Sequence, residues 1–153
     1  AKYMASQPYV DAKHIGIWGW SFGGYEVLMA MSQTDSPYAA GVAIAPVTDW
    51  RFYDTIYTER FMRTPNENEN GYNQGSPLKR IGKQKGRLLI MAGTADDNVH
   101  ITNTYEYAAE MTQQNKMFDM MVFLNMNHSI NGCETRVPLY MKVLEFFNNN
   151  LKK

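Results

Sequence analysis

The stretch from His14 to Met31, HIGIWGWSFGGYEVLMAM, decides how the chain folds. Its first half is a short apolar run of strand length and its second half reads as a helix. Between them Gly19, Ser21 and Gly23 spell G-x-S-x-G. The letters alone are common, because serine and glycine are ordinary turn residues. The placement carries the signal: a sharp turn from strand to helix pushes a serine hydroxyl above the strand ends, and the helix N-terminus faces any oxyanion formed there. Glycines two residues either side let strand and helix approach closely. Ser21 is therefore a candidate nucleophile, set against the plainer reading of a glycine-rich structural turn.

Outward from this turn, three more apolar runs have strand length: AGVAIAPV from Ala40, RLLIMAG from Arg87 and FDMMVFLN from Phe118. The first two are apolar throughout, as strands of a parallel sheet covered on both faces are. Helical spacing follows in Ile101, Tyr105, Ala108 and Thr112. It recurs in Val137, Tyr140, Leu144, Phe147 and Leu151, with lysines and asparagines elsewhere around that helix. Strand and helix alternate to the end, which predicts an α/β fold with a mostly parallel sheet and helices on both faces. The exception is Thr48 to Gln84, an insertion rich in aromatics at its start. It runs through a polar loop NENENGYNQGS and a short helix around PLKRIGK. A connection of that length without a strand tends to be functional.

Composition limits the alternatives. Fifteen basic and fifteen acidic residues cancel, and no run is basic enough to neutralise a row of phosphates, so nucleic acid is not an expected partner. No apolar run approaches the roughly 20 residues of a spanning helix. The single cysteine, Cys133, excludes an internal disulfide and a cysteine-based zinc cluster, and reads as an inert small residue near a helix start.

A serine hydroxyl needs a base, and the base needs an acid to hold its tautomer; in this fold class they come in the order Ser, acid, His. Of three histidines, His14 precedes the serine. His100 follows ADDNV at a helix start, where an exposed or capping histidine is ordinary. His128 lies in NMNHSINGC, after the last strand and before the last helix, where a base can reach over the sheet. The acid belongs in GTADDNVH, after the strand RLLIMAG; spacing leaves Asp96 and Asp97 both open, one of them free to cap the following helix. Neither helix pattern sets histidines and carboxylates at metal-ligand spacing.

These residues bear a family likeness. GWSFGGY, AGVAIAPVTDWRFYDTIYTERFM, GTADDNVH and the His128 loop resemble the catalytic domain of the dipeptidyl peptidase IV family, in the prolyl oligopeptidase group of serine peptidases. The likeness covers nearly the whole chain. It implies an α/β-hydrolase fold and removal of N-terminal dipeptides with proline or alanine second. It implies Ser21 as nucleophile, Asp96 as acid and His128 as base, with no metal or organic cofactor. Phe22, where the family usually has tyrosine, would give its amide to the oxyanion. Val47, Trp50, Tyr53, Tyr57 and Val99 would line a slot for the proline ring, and Asn98 would contact the peptide carbonyl. An aromatic slot suits a rigid apolar ring with no N–H, although the spacing of Trp50, Tyr53 and Tyr57 also describes a helix face used for packing.

The resemblance further implies that residues 1–153 are the C-terminal portion of the catalytic domain of a longer protein. Earlier strands, an oxyanion tyrosine and a β-propeller with an amine-binding glutamate pair would lie elsewhere. The strand from His14 to Trp20 is then expected to have an unpaired, weakly protected edge. At full length a homodimer is implied, in a periplasmic, secreted or surface-attached setting. The rivals are another peptidase or esterase of the same group, and a non-catalytic remnant kept for binding.

Overall fold

A computed structural model describes residues 1–132 and 134–152, so the expectation for Cys133 lies outside the described residues. Four strands form one sheet in the order β1 (Ile15–Trp20), β2 (Tyr38–Ile44), β3 (Arg87–Gly93), β4 (Asp119–Phe123), every neighbouring pair parallel. The four apolar runs are these strands. Six α-helices are described: α1 (Lys2–Ala5), α2 (Phe22–Met31), α3 (Thr55–Met62), α4 (Glu69–Gln74), α5 (Thr102–Gln113) and α6 (Arg136–Leu151). The chain is an α/β fold, as its alternation of patterns predicts.

The side-chain period of two divides the core between the sheet faces. Ala40, Val42 and Ile44 of β2, with Leu89 and Met91 of β3, pack under α6 against Leu139, Val143 and Phe146. Ala43, Leu88 and Ile90 point the other way, to Val27, Leu28 and Met31 of α2 and Tyr107 and Met111 of α5. Gly41 admits α2, since a Cβ there would run into the Met31 thioether. Because both faces are covered, β2 and β3 are the continuous apolar runs.

The structure corrects the reading of α6. Leu139, Val143 and Phe146 are buried, while Val137, Tyr140 and Leu144 are exposed; of the expected face only Phe147 and Leu151 pack against the core. The helix carries two apolar stripes, and spacing alone could not choose between them. The second stripe, with Met141, is left in solvent. Beside it, Trp18 of β1 is half exposed and meets Tyr140 edge to face, ring centres 6.5 Å apart. Among the described residues β1 pairs only with β2, which leaves its other edge open.

The insertion also holds more helix than expected. α4 lies within the supposed polar loop, started by Asn68, whose side chain accepts the Gly71 amide at 3.2 Å. It is pinned by buried Tyr72, whose hydroxyl donates to the Arg63 carbonyl at 2.7 Å. PLKRIGK is a 3-10 turn, Pro77–Lys83. Arg51 ties the start of the insertion to α4 by bonding the buried Asp49 carboxylate and, at 2.9 Å, the Asn73 side chain. A third core patch, Val47, Trp50, Tyr72 and Val99, fastens the insertion to the C-terminal ends of the strands.

Candidate active site

Each candidate residue follows the C-terminal end of a strand or sits on the insertion beside it, where open α/β sheets place their sites. Ser21 directly follows β1. Its backbone has φ 59° and ψ −118°, a left-handed conformation that costs a non-glycine residue about 1–3 kcal/mol. Strain of this kind fits the sharp turn that lifts the hydroxyl. As the residue before α2, a structural serine would spend its oxygen capping the helix; Ser21 makes no such bond. Its main chain is fixed instead, the amide donating to the Ile44 carbonyl of β2 at 2.8 Å.

The need for small residues at the turn falls partly elsewhere than expected. A Cβ on Gly19 would overlap the Gly23 carbonyl, so strand and helix are in backbone contact there. A Cβ on Gly23 has nothing within 4 Å, whereas one on Gly24 would lie 2.9 Å from the Ile44 carbonyl oxygen. At this turn Gly19 and Gly24, rather than Gly23, are the positions where a side chain would collide. The Phe22 amide opens α2, where helix N–H groups are unspent.

The structure separates the two acids. Asp97 is exposed, while the Asp96 carboxylate is fully buried. Asp96 Oδ1 accepts the amides of Asn98 and Val99, each at 2.9 Å, and Oδ2 lies 2.7 Å from His128 Nδ1. Three bonds to one carboxylate offset its loss of water. The bond to His128 holds the imidazole with Nδ1 on the acid and Nε2 on the other side of the ring. His128 is held from its main chain as well. The Trp20 indole N–H donates to its carbonyl at 3.0 Å, and the Arg136 guanidinium lies over that indole at 5.2 Å. Sequence reasoning passed over both residues. His14 pairs with Asp11, and the exposed His100 bonds Thr102, so neither joins the acid.

Ser21, Phe22, Val47, Trp50, Tyr53 and Tyr57 line one cavity of about 200 Å³. The three aromatics do not share a helix face: Trp50 is in a 3-10 turn, Tyr53 follows it, and Tyr57 is in α3. Asp54 caps α3 by accepting the Tyr57 amide at 2.8 Å, which sets the rings of Tyr53 and Tyr57 edge to face at 5.5 Å. Tyr57 stacks on Trp50 at 6.1 Å. The Tyr53 hydroxyl donates to Asn98 Oδ1 at 2.7 Å, joining the insertion to the acid loop. Burial, and then the nearby Asp54, Tyr57 and Asp96, push the Tyr53 phenol above its ordinary range, so it remains a donor. Val99 is buried against Val47 and Trp50. A larger cavity of about 400 Å³ shares Phe22, Trp50 and Tyr57 with it, runs on to Phe61 and Met62, and does not include Ser21. The smaller one is the slot that meets the serine.

A parallel sheet with a strained serine after its first strand and a buried acid–histidine pair after its last two defines the α/β-hydrolase type of architecture. Comparison agrees, and names the family: the model of the prolyl oligopeptidase family matches residues 1–153, and the chain belongs to that family. The solved dipeptidyl peptidase 4 of Porphyromonas gingivalis superposes with a TM-score of 0.96 at 49% identity, over 98% of this chain and 21% of that one. A Penicillium rubens protein named "Probable dipeptidyl-aminopeptidase B" is 46% identical over 97% of this chain and 17% of its own length. Its namesake from Talaromyces marneffei is 44% identical over 85% of this chain and 15% of its own length. The chain thus spans about a sixth of the curated relatives it matches.

Proposed function

We propose that this chain is the triad-bearing, C-terminal portion of the catalytic domain of a serine dipeptidyl peptidase. The observation that carries the reading is the 2.7 Å bond between buried Asp96 and His128, set on the same tier of loops as a strained serine that caps nothing. In the proposed reaction Ser21 Oγ attacks the carbonyl of the second substrate residue while His128 Nε2 takes its proton. The Phe22 amide donates to the oxyanion and the Asp96 carboxylate steadies the imidazolium. The tetrahedral intermediate collapses as His128 protonates the leaving amine, and water, activated by the same histidine, hydrolyses the acyl-enzyme. This route uses no metal or organic cofactor.

The second substrate residue, proline or alanine, would enter the slot of Val47, Trp50, Tyr53 and Tyr57, which Val99 backs without lining it, with Asn98 near the peptide carbonyl. What supports proline is the slot itself: a rigid apolar ring gains from three aromatic faces and leaves no N–H unpaired. What supports a larger sheet and a homodimer at full length is the open edge of β1 and the uncovered stripe of α6, since apolar surface of that kind is normally an interface.

The test is a substrate panel on the natural full-length protein. Free-amine Xaa-Pro p-nitroanilides should be cleaved, N-blocked analogues and simple esters far more slowly, and the activity should vanish in Ser21→Ala. Preference for blocked peptides or esters would reassign it within the family, and no turnover of any substrate would remove the enzyme reading.

A further inference from the structure

Behind the slot lies a buried polar knot that the chemistry above does not use. Asn103, the second residue of α5, has no exposed surface, and every hydrogen-bonding group of its amide is engaged. Oδ1 accepts the Thr48 amide at 2.9 Å. Nδ2 donates to the His100 carbonyl at 3.2 Å and to the Phe52 carbonyl at 3.4 Å. The Asn103 main-chain carbonyl takes the Thr48 hydroxyl at 2.8 Å. Thr48, also fully buried, accepts in turn from the Ser76 hydroxyl and the Leu78 amide, both at 3.1 Å.

The three segments gripped by this one side chain are the ones that carry the slot. Thr48 follows Val47, Phe52 stands between Trp50 and Tyr53, and His100 follows Asn98 and Val99. Resting on the proposed dipeptidyl peptidase reading, we propose that Asn103 is a positioning residue that fixes the width of the slot and hence the preference for proline over alanine. The residue type follows from the bonds. Only a primary amide offers an acceptor and two donors in one plane; aspartate would lose both donors, and alanine would leave the buried Thr48 amide and the Phe52 carbonyl without this partner, while the His100 carbonyl would keep only the main-chain amide of residue 103. Released from the pin, the wall carrying Trp50 and Tyr53 can move against Val99. A snug slot for a ring discriminates more than a loose one, and a single lost ring contact is worth about tenfold or more.

The test uses the natural full-length protein, its Asn103→Ala form and the milder Thr48→Val form. A small fluorophosphonate labels Ser21 without filling the slot, so its rate reads the triad. Protection of Ser21 from that probe by the dipeptides Ile-Pro and Ile-Ala reads the slot, with no turnover required. For Asn103→Ala the expected result is labelling within about threefold of wild type and Ile-Pro protection weakened about tenfold or more, with Ile-Ala much less affected. Thr48→Val should move the same ratio in the same direction by less, and decides the matter if Asn103→Ala is not recovered folded. An unchanged Pro-to-Ala ratio, or labelling and both protections falling together, would overturn the proposal. If wild type is labelled and protected yet cleaves no dipeptide substrate, the proposed activity falls while the slot assignment stands. If wild type is not labelled, both fall.

Discussion

Asp96 and Asp97 are neighbours of the same chemistry in one loop, and only one can serve the histidine. The choice is made by main-chain geometry: the turn after β3 points the Asp96 carboxylate at the amides of Asn98 and Val99 and at His128, and leaves Asp97 in solvent. No spacing rule contains that information. Asp96→Asn keeps an oxygen for the two amides but presents His128 with the wrong partner, favouring the wrong imidazole tautomer. Its kcat should fall about 10⁴-fold, with KM and thermal midpoint little changed. A loss below about tenfold in steady-state assays would mean that Asp96 is a turn residue only. The places of Ser21 and His128 at the strand ends were legible because a strand-to-helix turn and a loop between strand and helix are visible in the letters. Asn103 was not, because apolar spacing marks the buried side of a helix and a polar residue stands outside that pattern. The signal was present, in polar Asn103 and Thr104 at the spacing that leads to buried Tyr107 and Met111.

At the scale of elements, the sheet was legible and the exposure of the last helix was not. β2 and β3 announce themselves because burial on both faces admits only apolar residues. α6 has two apolar stripes, and a helix cannot reveal which one its own sheet covers. α4 was hidden for another reason: ENGYNQ has poor intrinsic helix propensity, and its turn and a half depends on the Asn68 cap and the burial of Tyr72. The uncovered stripe gives a test at this scale. If the proposed homodimer forms through this stripe, placing glutamates at Val137 and Leu144 should shift the natural protein from dimer to monomer in sedimentation velocity. The thermal midpoint of the monomer should move by no more than about 2–4 °C, because both side chains already face water. An unaltered sedimentation profile would remove this stripe from any proposed dimer contact.

Across the whole molecule, the site is a product of two separate fastenings. The sheet fixes Ser21, Asp96 and His128 through loops at one end, and the insertion brings the slot to them through the third core patch and the Asn103 pin. The core beneath also carries a latent alkaline sensitivity. Burial pushes the Tyr107 phenol well above its ordinary value near 10, so the folded chain keeps a proton that the unfolded chain gives up. That contribution is complete below about pH 10 and is lost as pH rises from there toward the folded value. Urea midpoints should therefore drop above pH 10, and drop less steeply in Tyr107→Phe. Parallel curves for the two proteins would refute the assignment of the loss to this residue.

The central claim, that Ser21 is an activated nucleophile paired with His128 and Asp96, is tested most directly by a fluorophosphonate probe on the natural full-length protein, with the adduct mapped by peptide mass spectrometry. The account predicts one adduct, on Ser21, absent from Ser21→Ala and formed at least about 100-fold more slowly in His128→Gln. Equal labelling of wild type and Ser21→Ala, or no labelling of either, would contradict it.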